Sequence, residues 1–253
     1  MLKVRIIPTL LWKNFGLVKG IGFDSWRRVG SILPAVKVFN ARQVDELIVV
    51  DITASIEKRN PDLEMVAEIA HECFVPLTIG GGITNIDQIK QLLRMGADKV
   101  SINSAAFDNP DLISDGAGKF GSQCIIASID AVKGTDGRYY CHSHAGSKST
   151  THEVMEWAAK MEEKGAGEIL LTDVALDGTM NGYNLELINN VSKVVKIPVI
   201  ASGGAGTMED FVDVFSSKGN ADAALAASIF HFKEIGIPEL KRYLQDEGIV
   251  MRL

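Results

Sequence analysis

The chain has 253 residues, 46% of them hydrophobic, and a formal charge of −6 at pH 7. That is enough apolar sequence for one large core, as one α/β barrel or two smaller domains, and the acidic balance argues against a nucleic-acid surface. No apolar run is long enough to span a bilayer, Met1-Leu2-Lys3-Val4-Arg5 lacks a signal-peptide core, and Cys73, Cys124 and Cys141 have no metal-ligand spacing, so a cytoplasmic protein with reduced thiols is expected.

Short β-branched runs alternate with amphipathic helices along the chain. The first strand begins near Arg5 and ends in Pro8-Thr9-Leu10-Leu11-Trp12. The loop after it carries Trp12, Phe15, Phe23 and Trp26 with Lys19, Arg27 and Arg28. Such aromatics and cations suit a clamp on a sugar or nucleotide, a partner contact, or packing back onto the barrel. A second strand near Glu46 ends at Asp51 and Thr53. The helix that follows has the stripe Leu63, Val66, Ala67 and Ala70, with Asn60 as its expected cap and Pro61 in its first turn.

Leu77-Thr78-Ile79 then runs into Gly80-Gly81-Gly82, which reads as strand, glycine turn and helix start. Ile86, Ile89, Leu92 and Leu93 form the next stripe, closed by Gly96. The strand near Lys99 ends at Asn103 and Ser104, and the one near Cys124 ends at Asp130. Thr135-Asp136-Gly137 is a turn signal, so His142 and His144 read as exposed hairpin histidines rather than metal ligands. Val154, Trp157, Ala158 and Met161 make a third stripe, closed by Gly165. The strand near Glu168 ends at Thr172 and Asp173, with Asp177-Gly178-Thr179 beyond it. After the stripe Leu187, Ile188, Val191 and Val195 comes a second glycine phrase, Val199-Ile200-Ala201-Ser202-Gly203-Gly204, with Thr207 as N-cap. A last strand near Ala221 ends at Ala227 and Ser228, and Leu240, Tyr243 and Leu244 form the final stripe.

About eight strand–helix units in a chain of this length predict a (β/α)8 TIM barrel. Its parts recur at half-barrel spacing: Asp45-Glu46-Leu47-Ile48 with Gly167-Glu168-Ile169-Leu170, and Gly96-Ala97-Asp98-Lys99 with Asn220-Ala221-Asp222-Ala223. One barrel made of two similar halves, about 1–122 and 123–253, is therefore expected. A glycine turn at a helix start is an anion cradle. Two of them on one mouth suggest a ligand with a phosphate at each end, held by Gly81, Gly82, Asn103 and Ser104 and by Ser202, Gly203, Gly204, Ala227 and Ser228. Asp51, Thr172, Asp177 and Gly178 share that rim.

Asp130 follows an apolar run, so desolvation should raise its pKa and suit it to acid–base work, the alternative being a loop cap. The repeat pairs Asp130 with Leu11, where a second carboxylate would be expected. Arg5, Glu46, Lys99 and Glu168 precede strands at the opposite rim. They either face solvent or close a neutral ring around the barrel axis.

Over essentially its whole length the chain resembles the cyclase (synthase) subunit of imidazole glycerol phosphate synthase, the HisF-type barrel family. The resemblance rests on Asp51-Ile52-Thr53-Ala54-Ser55, Gly80-Gly81-Gly82-Ile83, Ala97-Asp98-Lys99-Val100-Ser101-Ile102-Asn103, Phe120-Gly121-Ser122-Gln123, Gly165-Ala166-Gly167-Glu168-Ile169-Leu170-Leu171-Thr172 and Ile200-Ala201-Ser202-Gly203-Gly204-Ala205-Gly206. It implies a partner glutaminase (HisH-type) that releases ammonia beneath the barrel, and a charged gate at Arg5, Glu46, Lys99 and Glu168. It further implies an interface at Asp98, ligand contacts that include Lys19, Asp51, Asn103, Asp130 and Asp177, and a doubly phosphorylated ligand transformed by two aspartates. No cofactor or metal is implied.

Leu11 falls on one of those two aspartates. The Leu10-Leu11 and Gly16-Leu17-Val18-Lys19 segments resemble a subgroup associated with acetamidino modification of surface sugars, in which ammonia passes to a separate ATP-dependent amidotransferase. The expectation is an ammonia-handling barrel in that pathway. The alternatives are the histidine-pathway synthase itself and a silent scaffold that activates a glutaminase.

Overall fold

A computed structural model of the protein describes residues 3–13, 16–231 and 235–251. Twelve strands form among these: β1 (Arg5–Lys13), β2 (Gly16–Ile21), β3 (Asp24–Gly30), β4 (Leu47–Asp51), β5 (Leu77–Gly80), β6 (Lys99–Ile102), β7 (Ile125–Lys133), β8 (Tyr139–Ser143), β9 (Lys148–Glu153), β10 (Glu168–Asp173), β11 (Val199–Ser202) and β12 (Ala223–Ala226). Eight of them, β1, β4, β5, β6, β7, β10, β11 and β12, run parallel. The sheet closes because β12 pairs with β1, Arg5 opposite Ala223, and β7 pairs with β10, Ile126 opposite Glu168. With helices between the strands, this is the expected (β/α)8 TIM barrel.

Alternation along the strands sorts the apolar residues into two cores. Ile6, Leu47, Ile125, Ile169 and Val199 face outward to the helices. Their neighbours Ile7, Ile48, Ile126, Leu170 and Ile200 fill the barrel interior with Ala223 and Leu225. Helix caps hold the outer layer in place. Thr207 caps the helix Met208–Phe215 in a reciprocal box with Asp210, as expected. Asn60 does not cap the helix Leu63–Glu72. Asp62 does, accepting from Met65 N–H at 3.0 Å, while Asn60 Oδ1 accepts from Gln88 Nε2. The helix starts two residues later than expected, and the Asp62 carboxylate at the new start reaches the free N–H. In the last helix, Ile237–Asp246, Tyr243 stays half-buried. Lys241 is buried instead, donating to Asp45 Oδ1 at 2.7 Å. Asp45 in turn accepts from Ile6 N–H, which ties that helix to β1.

The remaining four strands form two hairpins at the C-terminal rim. β2 and β3 extend from β1, with Val18 opposite Leu11, and β8 and β9 extend from β7, with His142 opposite Asp130. The aromatic loop expected after the first strand is therefore mostly sheet. Trp12 lies within β1 and is buried, Phe23 and Trp26 are half-buried on the hairpin, and Phe15 falls outside the described residues. His142 and His144 are half-buried rather than exposed, because their hairpin folds over the mouth.

The second glycine phrase is fixed by backbone packing. Gly204 has φ +107°, and a Cβ on it would lie 1.9 Å from the Gly182 carbonyl oxygen. Gly204→Ala should therefore destabilise the protein by at least about 2 kcal/mol in urea unfolding. Gly118, in the helix Asp111–Phe120, has open space at its Cβ position. Gly118→Ala should be neutral or stabilising by up to about 1 kcal/mol.

Candidate active site

The C-terminal rim encloses a cavity of about 520 Å³. Gly81, Gly82, Asn103 and Ser104 line one side and Ser202, Ala227 and Ser228 line another, with Asp51, Asp130, Thr172, Asp177, Gly178 and Lys19 also on the wall. The structure thus gathers nearly every residue singled out for the mouth. Gly203 and Gly204 are not among the lining residues. A Cβ on Gly203 would meet the Asp173 carbonyl oxygen at 2.6 Å, so both glycines let the turn pack on the 173–182 segment. They shape the turn, and Ser202, Ala227 and Ser228 are the cavity-lining residues on that side.

Three polar residues expected to touch a ligand are held by the protein itself. Asp51 Oδ1 accepts from Thr53 N–H, Thr53 Oγ1 and Ala54 N–H, all at 3.0 Å, and Oδ2 accepts from Arg59 at 3.1 Å. Its carboxylate builds the loop after β4. Asn103 Nδ2 donates to Ser128 O, His142 O and Asp130 Oδ2 at 3.1–3.3 Å, so it orients Asp130. Ser104 Oγ donates to Asn103 Oδ1 and accepts from His144 N–H at 3.0 Å, leaving chiefly its backbone for an anion. His142 Nδ1 lies 2.8 Å from Gly146 O and His144 Nδ1 3.0 Å from Ser143 Oγ, so both rings hold the hairpin.

Lys58 and Arg59 line the cavity beside the first cradle and were missed in the sequence. Two adjacent cations just beyond a strand end were the available signal. Gly82 has φ +71°, and its Cβ would meet Arg59 O at 2.7 Å, so the glycine brings this cationic loop up to the cradle.

Three titratable groups on the wall are shifted toward neutrality. Asp130 is buried and its pKa is pushed up to about 7, first by desolvation and then by Asp177. Asp177 rises to about 6 by burial, against the pull of Lys19. Lys19 falls to about 7 by burial, against the pull of Asp177. Leu11 also lines the cavity and contributes no charge.

At the other end of the barrel the four charges close a ring. Arg5 donates to Glu46 at 2.6 Å and to Glu168 at 3.1 Å, and Lys99 donates to Glu46 at 3.0 Å and to Glu168 at 2.8 Å. Each carboxylate is shared by both cations, and Arg5 is held above its ordinary pKa because Glu168 and Glu46 outweigh the desolvation that opposes it. The solvent-facing alternative for these charges is thereby excluded. Asp98 stands on the same rim, exposed, with Oδ2 accepting from Leu77 N–H at 2.8 Å.

A family model described as histidine biosynthesis protein matches residues 5–236. The chain is 50% identical over 253 residues to "Imidazole glycerol phosphate synthase subunit HisF" of Chlorobium luteolum, covering all of both chains. Proteins of the same name from Natranaerobius thermophilus and Chlorobaculum tepidum match over their full lengths at 49% and 50% identity.

The raised pKa of Asp130 has a stability signature. Folding favours its protonated form, so its contribution is full below the unfolded value near 4 and is lost as pH rises through about 7. Asp130→Asn removes that loss. The variant should gain about 1–3 kcal/mol more over wild type at pH 8 than at pH 5 in paired urea titrations. An equal effect at both pH values would contradict a desolvated carboxylate.

Proposed function

The chain belongs to the histidine biosynthesis protein family, as a HisF-type barrel. On that premise we propose that it is the synthase subunit of a glutamine-dependent amidotransferase, carrying ammonia from a glutaminase to a doubly phosphorylated small molecule. The observation that carries this is the pairing, in one barrel, of a closed ring of charges at one end with a cavity flanked by two glycine turns at the other. The relatives' shared name favours imidazole glycerol phosphate synthase, and with it histidine biosynthesis in the cytoplasm, over the acetamidino-sugar role first expected.

The path between the two ends suits neutral ammonia. Above the ring the interior is apolar, with Ile7, Ile48, Ile126 and Leu170. An ammonium ion loses its hydration there without compensation, whereas the neutral molecule loses far less. Beyond that layer Thr9, Ser101, Ser128 and Thr172 line the base of the cavity and offer hydroxyls. Ammonia arriving there meets a ligand held from both sides, and Asp130, poised near neutrality, takes up a proton as nitrogen adds. The glutaminase would dock on the rim that carries Asp98, where Phe74, between a helix end and β5, is 82% exposed.

One observation favours a second reading. Leu11 removes a proton-carrying group from the mouth, so the barrel would bind its ligand, conduct ammonia and deliver it to a separate ATP-dependent sugar amidotransferase. Two assays separate the readings. The purified protein is given the family's doubly phosphorylated substrate with excess ammonium salt, and its gene is introduced into a strain lacking its own histidine synthase subunit. Turnover and rescue are expected under the first reading. Their absence, with ligand binding intact, would move the conclusion to the second.

The ring makes its own prediction. Lys99→Met leaves Glu46 and Glu168 with one shared cation and disorders the entrance. Glutamine-driven turnover by the complex should fall at least tenfold, about 1.4 kcal/mol, while turnover with saturating ammonium salt, which does not need a sealed path, changes less than threefold.

A further inference from the structure

The mouth has one proton-carrying wall at Asp130 and an apolar one at Leu11. Two other carboxylates at strand ends cannot serve in its place, and Asp177 is the charge that acts on Lys19. Asp51 is saturated by Thr53, Ala54 and Arg59. Asp173 accepts from the N–H groups of Ala175 and Leu176 and from Asn184 Nδ2 at 2.6 Å. Lys19 is differently placed. It is 3% exposed, it lines the same cavity as Asp130, and its Nζ has no hydrogen-bond partner among the described residues.

The fold holds it there. β2 is paired to β1 with Val18 opposite Leu11, so Lys19 directly follows the residue that faces the missing carboxylate. The far end of that hairpin is pinned by Gly22 N–H donating to Asp177 O at 2.8 Å. Gly178 packs so closely under Gly20 that a Cβ would lie 2.4 Å from the Gly20 carbonyl oxygen. Among the described residues, Asp177, on the segment after β10, is the charge that acts on Lys19, and the exposed Arg27 is its register partner on β3; Asp130 on β7 lines the same cavity and also feels Asp177. A lysine buried without a partner is unfavourable for stability, and such arrangements cluster at working sites.

We propose that Lys19 is the second proton-carrying residue of this mouth and stands in for the carboxylate that Leu11 replaces. The proposal rests on the reading of the cavity as the site of a reaction on a phosphorylated ligand. Lys19, as ammonium, gives one proton to the ligand atom that gains an electron pair as its bond breaks, and is left a neutral amine. Asp130, as carboxylate, takes one proton from the opposite side and is left a neutral acid. Water returns a proton to Lys19 and removes one from Asp130 after product release, so the protein ends a turnover as it began. Burial makes both forms of Lys19 available near pH 7, which an ordinary lysine does not offer.

The test has two arms. Lysines of the full chain are labelled with 13C at Cε and titrated by NMR, and Lys19 is identified by the resonance lost in Lys19→Arg. A midpoint near 7 is expected, and a midpoint in the ordinary range, about 10.4, overturns the proposal whatever the ligand. In the second arm the family's doubly phosphorylated substrate is supplied with ammonium salt. Lys19→Arg keeps a cation but cannot release its proton. Its ligand affinity should stay within about threefold, its kcat should fall at least about 100-fold, and the alkaline limb of its pH profile should vanish. An unchanged rate or profile overturns the proposal, as does a wild type that is inert until Leu11→Asp restores turnover. Wild type and Leu11→Asp both inert, with Lys19 titrating near 7, supports Lys19 as a proton-carrying group of the mouth and sinks the reading of its ligand instead.

Discussion

Successive residues of a strand point to opposite faces, and in a closed barrel one of those faces is the axis. β1 sends Arg5, Ile7, Thr9 and Leu11 to the ring, the apolar layer, the cavity base and the mouth in turn. β10 does the same with Glu168, Leu170 and Thr172, and β7 with Ile126, Ser128 and Asp130. A slip of one residue in any of these strands would put charges among the helices and Ile6 or Ile125 on the axis. Closure between β12 and β1 and between β7 and β10 fixes the register, so the functional column and the hydrophobic core are specified by the same pairing.

The two ends of that column use charge in opposite ways. At the ring, two cations and two carboxylates satisfy one another at 2.6–3.1 Å, and burial is tolerated because no charge is left alone. At the mouth, Lys19 and Asp130 are buried and Asp177 is half-buried, all with incomplete compensation, and desolvation moves their pKa values toward neutrality. The mouth is thus less favourable for stability than a satisfied network, and it is the end with protons to exchange near pH 7.

Much of this was legible in the sequence. Eight strand starts fall within two residues of where the β-branched runs placed them, because alternating strands and helices leave few other ways to bury those stripes. Asp130 was identifiable from the apolar run before it. The ring was harder to read, since a charge before a strand looks the same whether it faces solvent or the axis, and only barrel closure brings Arg5 within reach of Glu168. Gly203 and Gly204 were read as ligand contacts because a glycine turn is the same in sequence whether a phosphate or a carbonyl group approaches it. The burial of Lys19 was not readable. It follows from a hairpin folding over the mouth, and nothing local to Gly16-Leu17-Val18-Lys19 signals that. The commitment of Asp51 to Arg59 was equally hidden, being a contact made across a loop rather than along a helix or strand.

The central claim is that one ligand spans the mouth between the two cradles, with its middle between Asp130 and Lys19. The direct test is a crystal structure of the chain with the family's doubly phosphorylated substrate. The account predicts one phosphate on the backbone at Gly81, Gly82 and Ser104, the other at Ser202, Ala227 and Ser228, and the connecting atoms within hydrogen-bond reach of both Asp130 and Lys19. A ligand held by one cradle with its other end in solvent, or lying away from Lys19 and Asp130, would contradict it.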